Sequence, residues 1–440
     1  MDDVTRTQQQ VAGERRVDVP ILTRVEGEGA LFVKLENNEV KDLRLRIFEP
    51  PRYFEHFLRS RTWREVPDIV ARICGICPVA YQMSASNAIE QAFGIDDLPK
   101  PIKELKRLFY CGEWIESHAL HIHLLAAPDF LGYPDAIRMA KDYPNEVKRG
   151  VHLQGLGNAI VKMFGGRPVN PVGVVPGGFY RAPARSEAKA MLGRLKEALP
   201  HAEALVRWVG GLRLPDVVRD VASVSLRAED EYPMNYGRIV SDRGLNIGVG
   251  EFPLHFREFQ VPHSTALHCT LHEKPYWVGP APRLNNNLDR LEPSTVRLIS
   301  ETPVPWPTRN PYHSALARAV EIHVAMLEAI RILEGYDRPP DPRVEVTPRA
   351  GVGCGCTEAP RGILWHRYEM DSEGRVVQAT ITPPTSQNQA QMEADMRASV
   401  LESLYMDDEA LRLRLESGIR NYDPCISCST HFLRLSVERT

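Results

Sequence analysis

The clearest two-residue alternation in the chain runs through Ala30-Leu31-Phe32-Val33-Lys34-Leu35. The polar turn Glu36-Asn37-Asn38-Glu39 follows, and Val40 to Ile47 forms the return. Alternate side chains of a strand face one side, so this pattern predicts a β-hairpin or small sheet. The residues before it, 1–20, read as a loose N-terminal tail. A short helical stretch is expected from Pro50 to Arg59. Small and apolar residues then recur at helical spacing over Tyr81–Phe93, with Gly94 as the stop, and over Pro101–Ala127, Asn145–Phe164 and Ala184–Leu214. From Pro215 to Pro311 the chain is rich in Pro, Gly and Asn with short β-like runs, an irregular α/β excursion within one domain spanning 1–440. Helix returns over Pro311–Gly335. The strand Ile363–Glu369 pairs with Val376–Ile381, and two more helices cover Gln389–Tyr405 and Leu411–Tyr422. The predicted fold is α+β and predominantly helical, a bundle of long helices with small sheets near both ends.

Composition narrows the function classes. Four hundred and forty residues, 43% hydrophobic and 25% charged, make a substantial core. A formal charge of −3 gives no basis for nucleic-acid binding. No run reaches the ~18–20 apolar residues of a membrane span, and the polar start Met1–Gly13 has no signal-peptide core. A cytoplasmic location is expected. Eight cysteines are too few for a disulfide scaffold in a chain this long, and four of them stand in C-x-x-C pairs.

Those pairs, Cys74/Cys77 and Cys425/Cys428, are the candidate chemistry. Each puts two thiolates near one turn, and four soft ligands suit zinc, iron–sulfur or nickel. A structural zinc site usually closes a loop of roughly 15–20 residues between its pairs; here 347 residues separate Cys77 from Cys425. Such a span favours a centre joining the two ends of an enzyme, with two unrelated pairs as the plainer alternative. Cys354 and Cys356 form a C-x-C among glycines and read as inert thiols in a closely packed loop. Cys269 reads as a small core residue. His118 and His121 share a helix face, yet as core histidines rather than ligands. No G-x-G-x-x-G follows a strand, so the chain lacks a dinucleotide fingerprint.

The strings Arg72-Ile73-Cys74-Gly75-Ile76-Cys77-Pro78 and Asp423-Pro424-Cys425-Ile426-Ser427-Cys428-Ser429-Thr430-His431 closely resemble the two signature boxes of the nickel–iron hydrogenase large subunit. Further resemblances run through the chain: Arg24-Val25-Glu26-Gly27, Glu358-Ala359-Pro360-Arg361-Gly362, and the Pro384-Thr385-Ser386-Gln387-Asn388 loop. The string Pro78-Val79-Ala80-Tyr81-Gln82-Met83 looks like the cytoplasmic branch that couples to pyridine nucleotides. One departure stands out: Tyr81 occupies a position where many members carry histidine.

The resemblance implies heterolytic cleavage of H2 at nickel and iron. Cys74 and Cys425 would be terminal nickel ligands, and Cys77 and Cys428 would bridge to an iron bearing CO and two cyanides. Glu26 would carry protons from Cys425, and Arg361 would stand over the metals. Asp423, Pro360, Pro384 and Thr385 would support this shell. Glu55 and His431 would bind magnesium. The resemblance further implies an iron–sulfur small subunit, diaphorase-type flavin and iron–sulfur partners, metal-insertion proteins and a maturation protease, with residues 432–440 either a precursor tail that it removes or a short tail that this member keeps. Two alternatives remain. A non-catalytic relative of complex I type would lack the four cysteines, and a structural zinc protein would hold zinc alone.

Overall fold

The computed structural model describes residues 14–95 and 97–431. The alternation near residue 30 becomes a three-stranded antiparallel sheet of β1 (Glu14–Val19), β2 (Gly29–Glu36) and β3 (Glu39–Ile47). Leu31, Val33 and Leu35 from β2 and Leu43, Leu45 and Ile47 from β3 bury one face. Asn37 and Asn38 both take positive φ, the conformation of a tight hairpin turn. β1 corrects the expected loose tail: Glu14–Val19 pairs with β2, Val17 opposite Val33. Its alternation is too brief to detect without the neighbouring strand that uses it. The C-terminal tail, 432–440, whether removed or kept, lies outside the described residues.

Five long helices form the body: α1 (Pro78–Ala92), α2 (Lys100–Leu120), α3 (Pro144–Gly165), α4 (Arg185–Gly210) and α5 (Ser314–Glu334). α2 packs against α3 and α5, and α5 against α4. The helix expected to reach Ala127 changes to a π-helical turn at His121–Ala126.

The excursion holds six strands, β4 (Ala222–Arg227), β5 (Arg238–Ser241), β6 (Asn246–Ile247), β7 (Phe256–Gln260), β8 (Leu267–Leu271) and β9 (Tyr276–Val278). Four make a sheet in the order β9-β4-β5-β6, and β7 and β8 form a hairpin. Another three-stranded sheet follows, β10 (Gly351–Ala359), β11 (Gly362–Met370) and β12 (Val376–Thr382). Leu226, Ile239 and Tyr276 of the excursion share one apolar cluster with Ile363 and Trp365 of β11.

The Cys354-Gly355-Cys356 segment is a strand, not the expected loop. Its glycines are needed for contact: a Cβ on Gly353 would lie 2.0 Å from Ala88 O, and one on Gly355 2.2 Å from Ser84 O. Alternate glycines of β10 thus lie along the small face of α1. Cys354 and Cys356, one register away, face the apolar cluster of the excursion. α6 (Pro384–Glu402) and α7 (Asp408–Asn421) complete the chain. α6 begins five residues before the expected helix, so the Pro384–Asn388 stretch is its first turn rather than a loop. Proline at the first helical position suits the required φ and needs no N–H partner.

Candidate metal centre

The first cysteine pair sits where a short helix, Val66–Val70, hands over to α1. Cys77 is the residue preceding α1. Its N–H and that of Ile76 donate to Cys74 Sγ at 3.2 and 3.3 Å. The opening N–H groups of α1 would otherwise be orphaned. Val79 N and Ala80 N instead donate to the carboxylate of Glu113 on α2, at 2.6 and 3.1 Å. A buried acid from another helix therefore fixes the angle at which the first pair is presented.

The second pair leaves α7 through Asp423, whose φ of 55° turns the backbone sharply. Cys425 N donates to Thr385 Oγ1 at 3.0 Å. Ile426 N donates to Glu26 O at 2.9 Å, and Ser427 N to Glu26 Oε2 at 3.1 Å. Arg52 joins the two pairs: its Nη2 donates to Ile73 O at 2.6 Å and also to Ser427 O.

The outcome is one buried cluster. Sγ atoms of Cys74, Cys77, Cys425 and Cys428 all lie within 4.8 Å of one another, with Cys74 to Cys425 at 3.4 Å and Cys77 to Cys428 at 3.9 Å. No pair is joined as a disulfide. Glu26 Oε2 stands 3.1 Å from Cys425 Sγ. Burial raises the Glu26 pKa above the ordinary carboxylate value, and the charge of Cys74 adds to it. Arg361 is buried beside the sulfurs. Its Nε donates to Asp423 O at 2.6 Å and its Nη2 to Asp423 Oδ1 at 3.1 Å, while Nη1 has no hydrogen-bond partner. Burial works against its charge, but Asp423 and the sulfurs of Cys425, Cys77 and Cys74 hold its pKa well above the usual value.

The family described as nickel-dependent hydrogenase matches residues 52–151 and 320–431, the two segments that carry the cysteine pairs. The sulfhydrogenase 2 subunit alpha of Pyrococcus furiosus is 35% identical over 95% of this chain and all of its own length. The chain belongs to the nickel-dependent hydrogenases. The NAD-reducing hydrogenase HoxS subunit beta of Cupriavidus necator is similar at 28% identity over 95% of each chain. Among solved structures, an NAD+-reducing [NiFe]-hydrogenase in the H2-reduced state superposes with a TM-score of 0.82 at 28% identity, covering 95% of this chain and 99% of that one. The fold is therefore the α+β fold of the nickel–iron hydrogenase large subunit, and the chain is a catalytic hydrogenase subunit dependent on nickel and iron.

Other residues singled out in this hydrogenase fall into place unevenly. His431 is buried, with Nε2 2.7 Å from Ile381 O and 3.6 Å from Glu55 Oε1. Burial opposes its charge, yet Glu55 keeps its pKa above the ordinary value. Pro360 O lies 3.4 Å from Arg318 Nη1, and Arg318 also reaches Asp423 at 3.5 Å. Asp423 thus receives two arginines. His118 pairs with Glu321 at 2.9 Å and His121 Nε2 lies 2.8 Å from Arg420 O, both in the core. Tyr81 is buried near Cys428, where burial first and that sulfur's charge second push its pKa well up. Cys269, Cys354 and Cys356 join no metal-ligating group among the described residues. Sequence reasoning missed Arg52, Glu113 and Glu116. The last is a second buried acid on α2 with its pKa raised well up by burial, against the opposing charge of Arg361. Two glutamates three apart in a helix otherwise buried over Leu105–Ala119 were the available signal.

No helix among the described residues is long and apolar enough to cross a membrane.

Proposed function

We propose that Cys74, Cys77, Cys425 and Cys428 hold nickel, with Cys77 and Cys428 shared with an iron that carries CO and two cyanides. The observation that carries this is the convergence of four buried sulfurs from opposite ends of the chain within 4.8 Å. Four thiolates are a donor set for soft and borderline metals, and the unpartnered Arg361 Nη1 beside them suits an acceptor supplied by an iron-bound diatomic. When bound, the pair supplies the Lewis acid and the electron-rich centre at which H2 is polarised.

The chain's own residues then manage the proton. Cys425 Sγ takes it, and Glu26 Oε2, 3.1 Å away, receives it. The raised pKa of Glu26 brings acceptor and donor forms closer in energy than in an exposed carboxylate. Arg361 is fixed by two contacts to Asp423, so it presents its third nitrogen without reorganising. Pro360 and Pro384 shape the backbone on either side, and Thr385 holds the Cys425 amide. Glu55 and His431, 3.6 Å apart with Ile381 O 2.7 Å from the imidazole, are the residues that would hold magnesium, a reading that rests on the family resemblance and on the oxygens of Glu55 and Ile381.

Electrons leave through partners. With four cysteines committed, no cluster-binding spacing remains, so an iron–sulfur small subunit is required. The similarity to NAD-reducing subunits supports diaphorase-type flavin and iron–sulfur partners with NAD(P) as acceptor. Metal-insertion proteins and a protease acting after His431 would complete maturation, in the cytoplasm. Infrared spectroscopy of the purified complex tests the core of this reading: one CO and two cyanide bands that shift under H2 are expected. A silent spectrum from a preparation containing zinc alone would overturn it.

A further inference from the structure

A second convergence of ligating atoms lies away from the cysteines. His263 sits in the turn from β7 to β8, His268 within β8, and Glu393 on α6. One ligand atom from each falls within a 4.8 Å group. His263 Nε2 is 2.8 Å from Glu393 Oε1, and His268 Nε2 is 3.5 Å from Glu393 Oε2. The two imidazoles stand at 83° with centroids 6.1 Å apart, so they approach the carboxylate from different directions.

A hydrogen-bonded His263–Glu393 pair would explain half of this. It leaves His268, which is 1% exposed, with only the longer 3.5 Å approach of Nε2 to Glu393 Oε2 and no hydrogen-bond partner at Nδ1. A buried imidazole so weakly paired is costly unless something else satisfies it. The surroundings are also held in place. Leu45 N donates to Glu393 Oε1 at 2.9 Å, and Thr265 Oγ1 donates to Ile47 O and Glu49 O at 3.0 and 2.9 Å. His263 and Glu393 keep about a fifth of their side-chain surface open to solvent, which gives an ion an entry path and room for water.

We propose that His263, His268 and Glu393 form a divalent metal site of the zinc class, separate from the four-cysteine centre. Two imidazole nitrogens and one carboxylate oxygen are a borderline donor set, poor for magnesium or calcium and good for zinc, with a fourth position left to water. The ion would pin the β7–β8 hairpin to α6. The first turn of that helix carries Thr385, which holds Cys425. The site is a brace rather than a second catalytic centre.

The test uses the assembled hydrogenase, equilibrated with zinc(II) and then dialysed. Metal analysis and zinc X-ray absorption should find about one zinc per catalytic chain, with only nitrogen and oxygen neighbours near ~2.0–2.1 Å. His263→Asn and Glu393→Gln should each lower zinc affinity at least tenfold, with nickel content and infrared bands unchanged. Three results would overturn the proposal: no zinc retained, zinc with sulfur neighbours near ~2.3 Å, or variants that bind as tightly as the parent.

Discussion

The two cysteine pairs have identical spacing and unlike surroundings. At the first, the backbone serves the sulfur: two N–H groups point at Cys74 Sγ, and the nearby acid, Glu113, is spent on the opening amides of α1. At the second, the amide of Cys425 is turned away to Thr385, and its sulfur faces the carboxylate of Glu26. One pair is built to keep a thiolate in place. The other sets a carboxylate against its sulfur, the arrangement the proposed proton transfer needs. A shared motif therefore fixes which metal chemistry is available, while the acids placed around it divide the labour.

Substitution of a cysteine in either pair erases the contrast. Cys74→Ser and Cys425→Ser should each abolish H2 oxidation, by more than about 10³-fold, with nickel lost on metal analysis. Glu26→Gln should sharpen the contrast most. Deuterium–hydrogen exchange should fall by roughly 10²–10⁴-fold, the loss typical of a positioned acid or base, with infrared bands retained. Because burial raises the Glu26 pKa, the parent should lose its proton acceptor as pH falls through a value above that of an exposed glutamate. A pH–rate profile showing no such limb would remove Glu26 from the path.

Arg52→Met strikes the link between the pairs. Two charge-assisted bonds to Ile73 O and Ser427 O disappear, with an expected loss of about 2–4 kcal/mol in chemical denaturation. Glu113→Gln is the counterpart of the Glu26 change. It should leave exchange within a few-fold of the parent and cost about 1–2 kcal/mol. The folded-state pKa of Glu113 is raised, so the parent loses stability as pH climbs from the unfolded toward the folded value. The deficit of the glutamine variant should shrink across that same window. Thr385→Val is the mildest change, near 1 kcal/mol, read as a lower melting temperature.

Much of this was legible in the chain. The hairpin over Ala30–Ile47 and the long helices follow from period alone, because each buries one face. The four cysteines and Arg361, identified by motif, do meet in space. The strand at Gly351–Ala359 was not legible: glycines there act through contact with Ser84 and Ala88, residues some 270 positions earlier, and alone they look like a loop. Arg52 and Glu113 were hidden for a related reason. Their roles are to satisfy backbone groups of distant segments, Ile73, Ser427, Val79 and Ala80, and backbone groups leave no trace in a sequence.

Cys425 follows Cys74 by 351 residues, and Glu26, which bridges to Cys425, precedes both. At ~5–20 residues per second of synthesis, the first pair leaves the ribosome roughly 20–70 s before its partner exists. For that interval two of the four thiols and Glu26 belong to an unfinished nascent chain. A pocket of all four sulfurs therefore cannot exist until translation has delivered the second pair, so its completion is timed by synthesis.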